Sequence, residues 1–151
     1  MNNGIFHIPR PINEPVLNYA PGSLERAALK KELDRLRGNQ IEIPLIIDGK
    51  ELRTGKTAPI RRPDVHSELL GVYHLAGEAE AKMAVEAALA AQEKWAAMPW
   101  EERAAVFLRI AELISGKYRA LMDAATMLCQ SKTAHQAEID AVCEAIDFLR
   151  F

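Results

Sequence analysis

A chain of 151 residues with 49% hydrophobic and 26% charged side chains has the composition of a folded globular protein long enough to bury a real core. A formal net charge of -2 offers no positive field to nucleic acid or anionic membrane, and no apolar run is long enough to span a bilayer, so neither partner is expected. Two cysteines, Cys129 and Cys143, exclude a disulfide framework, and Met1 to Pro11 lacks the apolar core of a signal peptide; a cytoplasmic location is expected, or the mitochondrial matrix in a eukaryote.

Residues 1 to 22 place Pro9, Pro11, Pro15 and Pro21 among Ile5, Phe6, Ile8, Val16, Leu17 and Tyr19, which predicts an extended arm whose apolar side chains need a surface to lie on. Ser23 can cap a helix over 24–37, with Leu24, Ala28, Leu29, Leu33 and Leu36 at helical spacing and Gly38 at its end. The period then changes. Ile41, Ile43, Leu45 and Ile47 alternate, Asp48-Gly49 signals a hairpin, Glu51 to Thr54 returns, and Leu69 to Leu75 forms a third strand. Thr57 to Ser67, with Pro59 and Pro63, reads as a surface loop.

From Gly77 the chain is helical. Ala81, Ala84, Val85, Ala88 and Trp95 form a stripe suited to close helix packing, with Glu78 and Lys82 paired on the wet side. Pro99 divides this helix from the next, where Phe107, Ala111, Ile114, Tyr118, Leu121, Ala125 and Leu128 make a seam that Gly116 bends or interrupts. Thr133 and Gln136 form a capping box, starting a last helix at Ala134. Its main stripe is Ile139, Val142, Cys143, Ile146 and Leu149, while Glu144, Phe148 and Phe151 share a different face. The expected class is α+β, mostly helical with a small antiparallel β unit.

Little of this pattern carries chemistry by itself. Gly49 to Thr57 resembles a phosphate-binding loop, but five residues separate Gly49 from Gly55 where four are needed, and no helix follows. No G-x-G-x-x-G occurs, so no cofactor-binding residue is assigned. Cys143 stands two helical turns, about 12 Å, from His135, too far for proton transfer, and belongs to a core stripe. Cys129, at a helix end with no identifiable base, is structural or incidental. His7, His66, His74 and His135 show no metal-ligand spacing. Asp140 and Asp147 fit a solvated acidic face. Glu144 differs, because aromatic neighbours on its face can make a pocket for an ammonium group; a plain surface role is the alternative.

Several segments resemble the aldehyde dehydrogenase superfamily in the right order: Ile43 to Gly49 as its first strand and turn, then Ala84 to Trp95 with Pro99, Glu102 and Arg103. Asn13 to Val16, Ala20 to Arg26, Gln130 to Thr133, Ala137 to Asp140 and Ile146 to Phe151 are similar to the branch that oxidises glutamate γ-semialdehyde. Cys129 departs from that branch, which usually has glycine there. The resemblance implies the N-terminal portion of an NAD-dependent enzyme of proline catabolism, divided as arm and short helix (1–40), β unit (41–76) and an incomplete helical part of the cofactor-binding domain (77–151). It also implies that Glu144 is a substrate-binding residue near the substrate's amino group. The catalytic residues and the NAD site would lie in the remainder of the chain, leaving this stretch inactive alone and the intact enzyme a homo-oligomer acting on a small semialdehyde. Two other readings are a stand-alone helical interaction module using the seam from Phe107 to Leu128, and a fragment of an aldehyde dehydrogenase with another substrate. The first reading expects the apolar side chains of the lead-in, with Phe148 and Phe151, to lack cover within this chain.

Overall fold

The computed structural model describes residue 7 and residues 9–151; Ile5, Phe6 and Ile8 of the expected arm lie outside them. Through 9–20 the chain has no regular secondary structure, as four prolines in the first 22 residues require. Helix α1 (Leu24–Gly38) starts where Ser23 accepts a hydrogen bond from the Arg26 N–H, and it buries Leu29.

The alternating run after it is split at Pro44 into β1 (Ile41–Ile43) and β2 (Leu45–Ile47), which belong to different sheets. β2 pairs antiparallel with β3 (Lys50–Leu52) across Asp48 and Gly49. Both turn residues have positive φ, 53° and 71°, so the Asp-Gly pair makes the hairpin its sequence predicts. The lookalike phosphate loop is therefore the hairpin's turn and return strand, followed by a bend at Gly55 that leads into the next strand.

The expected loop at Thr57 to Ser67 is half wrong. Thr57–Arg61 is a strand, β4, paired antiparallel with β5 (Leu69–His74), which also pairs parallel with β1. Ala58 and Ile60 turn toward the interior while Thr57, Pro59 and Arg61 face out, a period-two pattern that two prolines disguised. Pro59 is tolerated because β4 is the edge strand of the order β1-β5-β4. The β unit is small, as expected, but the parallel β1–β5 pair means that it is not wholly antiparallel. His74 is buried with both ring nitrogens engaged: Nδ1 accepts from the Gly55 N–H at 3.3 Å, so Nε2 carries the proton facing Glu42 at 2.6 Å.

Helix α2 (Glu78–Ala97) lies beside the hairpin and buries none of its residues. Its alanine stripe stays exposed, with Ala84 and Ala88 along a groove beside the hairpin and Val85 and Trp95 open to solvent, and no helix among the described residues covers it. Lys82 pairs forward with Glu86 rather than back with Glu78. Helix α3 (Trp100–Ser115) ends at Gly116 and α4 (Arg119–Gln130) starts after a turn, so the expected seam is divided between two helices: Ala111 and Leu128 are buried, Phe107 and Tyr118 exposed. Cys129 lies within α4, and the left-handed residue that closes the helix is Ser131 (φ 54°), so the departure from glycine costs the turn nothing.

Thr133 and Gln136 form the expected capping box, opening α5 (Ala134–Ala137). A π-helical segment, Glu138–Cys143, follows before α6 (Glu144–Arg150). Two apolar clusters hold the helices together. Tyr19, Leu29 and Ala124 join the arm, α1 and α4; Ala111, Val142 and Ile146 join α3 to the last helix. No described helix is long and apolar enough to cross a membrane.

Candidate functional site in the arm and terminal helix

The π-helical segment has a local consequence. Its extra residue per turn brings positions five apart onto one side, so Glu138 and Cys143 face inward together, the Cys143 Sγ 3.7 Å from Glu138 Oε1. Glu138 is wholly buried, as is Asp123 on α4. Buried carboxylates require partners. Arg119 supplies the cation, contacting Glu138, Glu14 of the arm and the carbonyl of Pro15 at 2.8 Å. The Tyr19 hydroxyl sits between Asp123 Oδ2 (2.5 Å) and Glu138 Oε2 (2.8 Å), and the Leu17 N–H donates to Glu138 Oε1 at 2.7 Å.

This network fixes the path of the arm. Burial opposes ionisation of Glu138, yet the Arg119 guanidinium, the Leu17 N–H and the Tyr19 hydroxyl outweigh it and hold the carboxyl below its usual range. Burial pushes Asp123 the other way, up to about 6, with the Glu138 charge adding to the rise. Burial and both carboxylates drive the Tyr19 phenol well above its ordinary value, so it remains a donor. Burial also raises Cys143, to about 11, leaving a thiol rather than a thiolate at neutral pH. Burial raises Cys129 as well. Neither cysteine is built as a nucleophile.

Outside the network, the arm and α6 form a cleft of about 420 Å³ lined by Asn13, Glu144, Asp147, Phe148 and Phe151. Glu144, Phe148 and Phe151 share a face, as the wheel predicts, since α geometry resumes at Glu144. All three are solvent-exposed, Phe148 at 81% and Phe151 at 72%. No described cation lies within ion-pair reach of Glu144. Asp147 is not a freely solvated acid: it accepts from the Asn13 amide at 2.6 Å and from the Glu14 N–H at 2.7 Å. Asp140 does face water, paired with Lys132 at 2.8 Å. A carboxylate sharing a cleft with two phenyl rings can bind a primary ammonium through charge, hydrogen bonds and the ring faces.

Sequence reasoning placed Glu144 here but missed Asn13 and the clamping role of Asp147. It missed the buried network entirely. The available signal was a tyrosine inside a proline-rich arm together with charged residues at core-facing helical positions, Asp123 beside Ala124 and Glu138 beside Ala137.

The start of α2 does not fit a dinucleotide phosphate. At the junction of β5 and α2, the Gly77 N–H that a phosphate would take is already held by the Glu80 carboxylate at 2.6 Å, and Glu78 adds a second negative charge. No group of three His, Cys, Asp or Glu among the described residues could hold a metal ion.

Comparison with known proteins decides the family. The model of the Aldehyde dehydrogenase family matches residues 51–151. This chain belongs to that family. As an aldehyde dehydrogenase chain it is 44% identical over 145 residues to the mitochondrial delta-1-pyrroline-5-carboxylate dehydrogenase of Dictyostelium discoideum, covering 96% of this chain and 26% of that protein. It is 46% identical over 147 residues to the corresponding enzyme of Agaricus bisporus, 97% of this chain and 27% of the relative. The aldehyde dehydrogenase chain thus spans about a quarter of the length of the curated relatives it matches. Among solved structures, the Mycobacterium tuberculosis delta-pyrroline-5-carboxylate dehydrogenase bound with NAD is 48% identical and superposes with a TM-score of 0.96, over 99% of this chain and 28% of that one. A point mutant of the Thermus thermophilus 1-pyrroline-5-carboxylate dehydrogenase is 32% identical with a TM-score of 0.84, over 99% of this chain and 28% of that one.

Proposed function

We propose that this chain is the N-terminal portion of an NAD-dependent dehydrogenase that oxidises L-glutamate γ-semialdehyde, the open form of delta-1-pyrroline-5-carboxylate, to L-glutamate. The observation that carries this reading is the superposition, over 99% of the chain at 48% identity, on a dehydrogenase of that name bound with NAD. The domain division read from the sequence belongs to the same proposal, with the arm and α1, the β unit and the helices as parts that the rest of the dehydrogenase completes. The remainder carries the reactive thiol and the dinucleotide site, since Cys143 is a buried thiol and the start of α2 is occupied by its own carboxylate. The intact enzyme is a homo-oligomer of the cytoplasm or the mitochondrial matrix.

Glu144 is this chain's contribution to substrate recognition. Its carboxylate faces the same cleft as Phe148 and Phe151, chemistry suited to the substrate's α-ammonium group. Steady-state kinetics of the intact dehydrogenase carrying Glu144→Ala test this. Loss of a charge-assisted hydrogen bond raises KM for the semialdehyde about tenfold or more. A wild-type KM rejects the assignment.

A further inference from the structure

The Asn13 side chain reaches the cleft from a part of the chain more than a hundred residues away, and its orientation is set. Asp147 Oδ2 takes the Asn13 Nδ2–H at 2.6 Å, while Asp147 Oδ1 takes the Glu14 N–H at 2.7 Å, so both carboxylate oxygens grip the arm at adjacent residues. An amide has its donors on nitrogen and its acceptor on oxygen. Committing the nitrogen to Asp147 therefore fixes where the oxygen points. The backbone on both sides is also tied down. The Ile12 carbonyl accepts from Arg150 at 3.5 Å, the Glu14 carboxylate is held by Arg119 and by Arg150 at 2.7 Å, and the Pro15 carbonyl accepts from Arg119. A side chain held this way makes its contact without a large ordering cost.

Within the same cleft Glu144 lies one helical turn before Asp147, with Phe148 and Phe151 beyond. An ammonium group has three donors and no acceptor, so one carboxylate leaves part of it unsatisfied. The Asn13 Oδ1 adds a further acceptor at the same cleft. Two carboxylates at the cleft, with the nearby Arg150 engaged by Glu14, also give the site a negative field.

We infer that Asn13 provides a second acceptor for the substrate ammonium beside Glu144, that Asp147 is the positioning residue that aims it, and that the two together make the intact dehydrogenase selective for semialdehydes bearing an α-amino group. The inference rests on the reading of Glu144 above. The arm is then part of the substrate cleft as well as a structural strap, and the Asn13–Asp147 bond joins the two roles.

The test compares glutamate γ-semialdehyde with 5-oxopentanoate, the same aldehyde without its amine, in the intact dehydrogenase and its Asn13→Ala, Asp147→Asn and Glu144→Gln variants. In the two arm-clamp variants the ratio of kcat/KM for the amino aldehyde to that for 5-oxopentanoate falls about tenfold, carried by KM rather than kcat. A generally loosened structure would weaken both aldehydes alike and leave the ratio where it was, which overturns the inference. The third variant separates this proposal from the one beneath it. If Glu144→Gln loses discrimination while Asn13→Ala and Asp147→Asn keep it, the arm has no part in recognition and the Glu144 reading stands; if all three keep it, both fall.

Discussion

The Tyr19 hydroxyl lies 2.8 Å from Glu138 Oε2, linking the arm to the π-helical segment across 119 positions of sequence. The same oxygen is 2.5 Å from Asp123 Oδ2. A hydroxyl has one proton to donate, so two ionised carboxylates cannot both be satisfied by it. Below about pH 6, where Asp123 holds a proton, Asp123 donates to the Tyr19 oxygen while Tyr19 donates to Glu138; above it the one hydroxyl proton is shared between two acceptors. Opposite displacements of the two carboxyls, Asp123 upward and Glu138 downward, agree with that division.

This proton makes stability depend on pH in a defined direction. Burial raises the folded Asp123 carboxyl from 3.8 to about 6, so between those values the folded state binds more protons than the unfolded one. The contribution of Asp123 to stability is therefore full below the ordinary value and is lost as pH rises toward 6. Asp123→Asn removes that titration. Subtracting the variant's unfolding free energies from those of the wild type across this window yields a difference that declines with rising pH; parallel profiles would show that Asp123 titrates in the fold as it does in the unfolded chain.

Tyr19→Phe deletes the hydroxyl and leaves Asp123 and Glu138 facing each other without a mediator. Leaving buried acceptors unsatisfied costs about 1–3 kcal/mol. The loss is read as a lower midpoint in denaturant, with limited proteolysis cutting the released arm between Asn13 and Asn18 sooner than in the wild type. A variant as stable as the wild type would mean that the hydroxyl is not what pins the arm.

Local signals made much of the fold legible. Ser23, Asp48-Gly49 and the Thr133–Gln136 capping box each satisfy backbone groups within a few residues, and each marks its element correctly. β4 was hidden because Pro59 and Pro63 argue for a loop until the strand is known to lie at an edge. The parallel β1–β5 pair depends on partners 30 residues apart, Ile41 and Gly71, which no short window contains. Glu144 could be placed beside Phe148 because both lie in α6. Glu138 could not be placed, since a wheel drawn at α-helical pitch does not anticipate a π-helical segment that turns it inward beside Cys143. Asn13 enters the cleft through a bond spanning 134 positions, and polar contacts of that range leave no periodic trace.

Gly71 marks the closest approach in the sheet. A Cβ there would fall on the Ile41 carbonyl oxygen and 2.7 Å from Ile41 Cγ1, so Gly71→Ala must push β1 away from β5. Overpacking of this kind costs about 1–3 kcal/mol. Thermal unfolding of the variant should show a lower Tm, together with faster amide exchange in β1 than in the hairpin; an unchanged Tm would mean that β1 can shift without cost.

A chimera puts the functional reading to the most direct test. Residues 1–151 replace the matching segment of the Mycobacterium tuberculosis enzyme, and NADH formation is followed with glutamate γ-semialdehyde as substrate. The segment is expected to restore the arm, the cleft and the packing surfaces, giving kcat/KM within about tenfold of the parent and a loss of the amino preference on Glu144→Ala. A soluble, correctly assembled chimera that binds NAD yet does not turn over the semialdehyde would contradict the account.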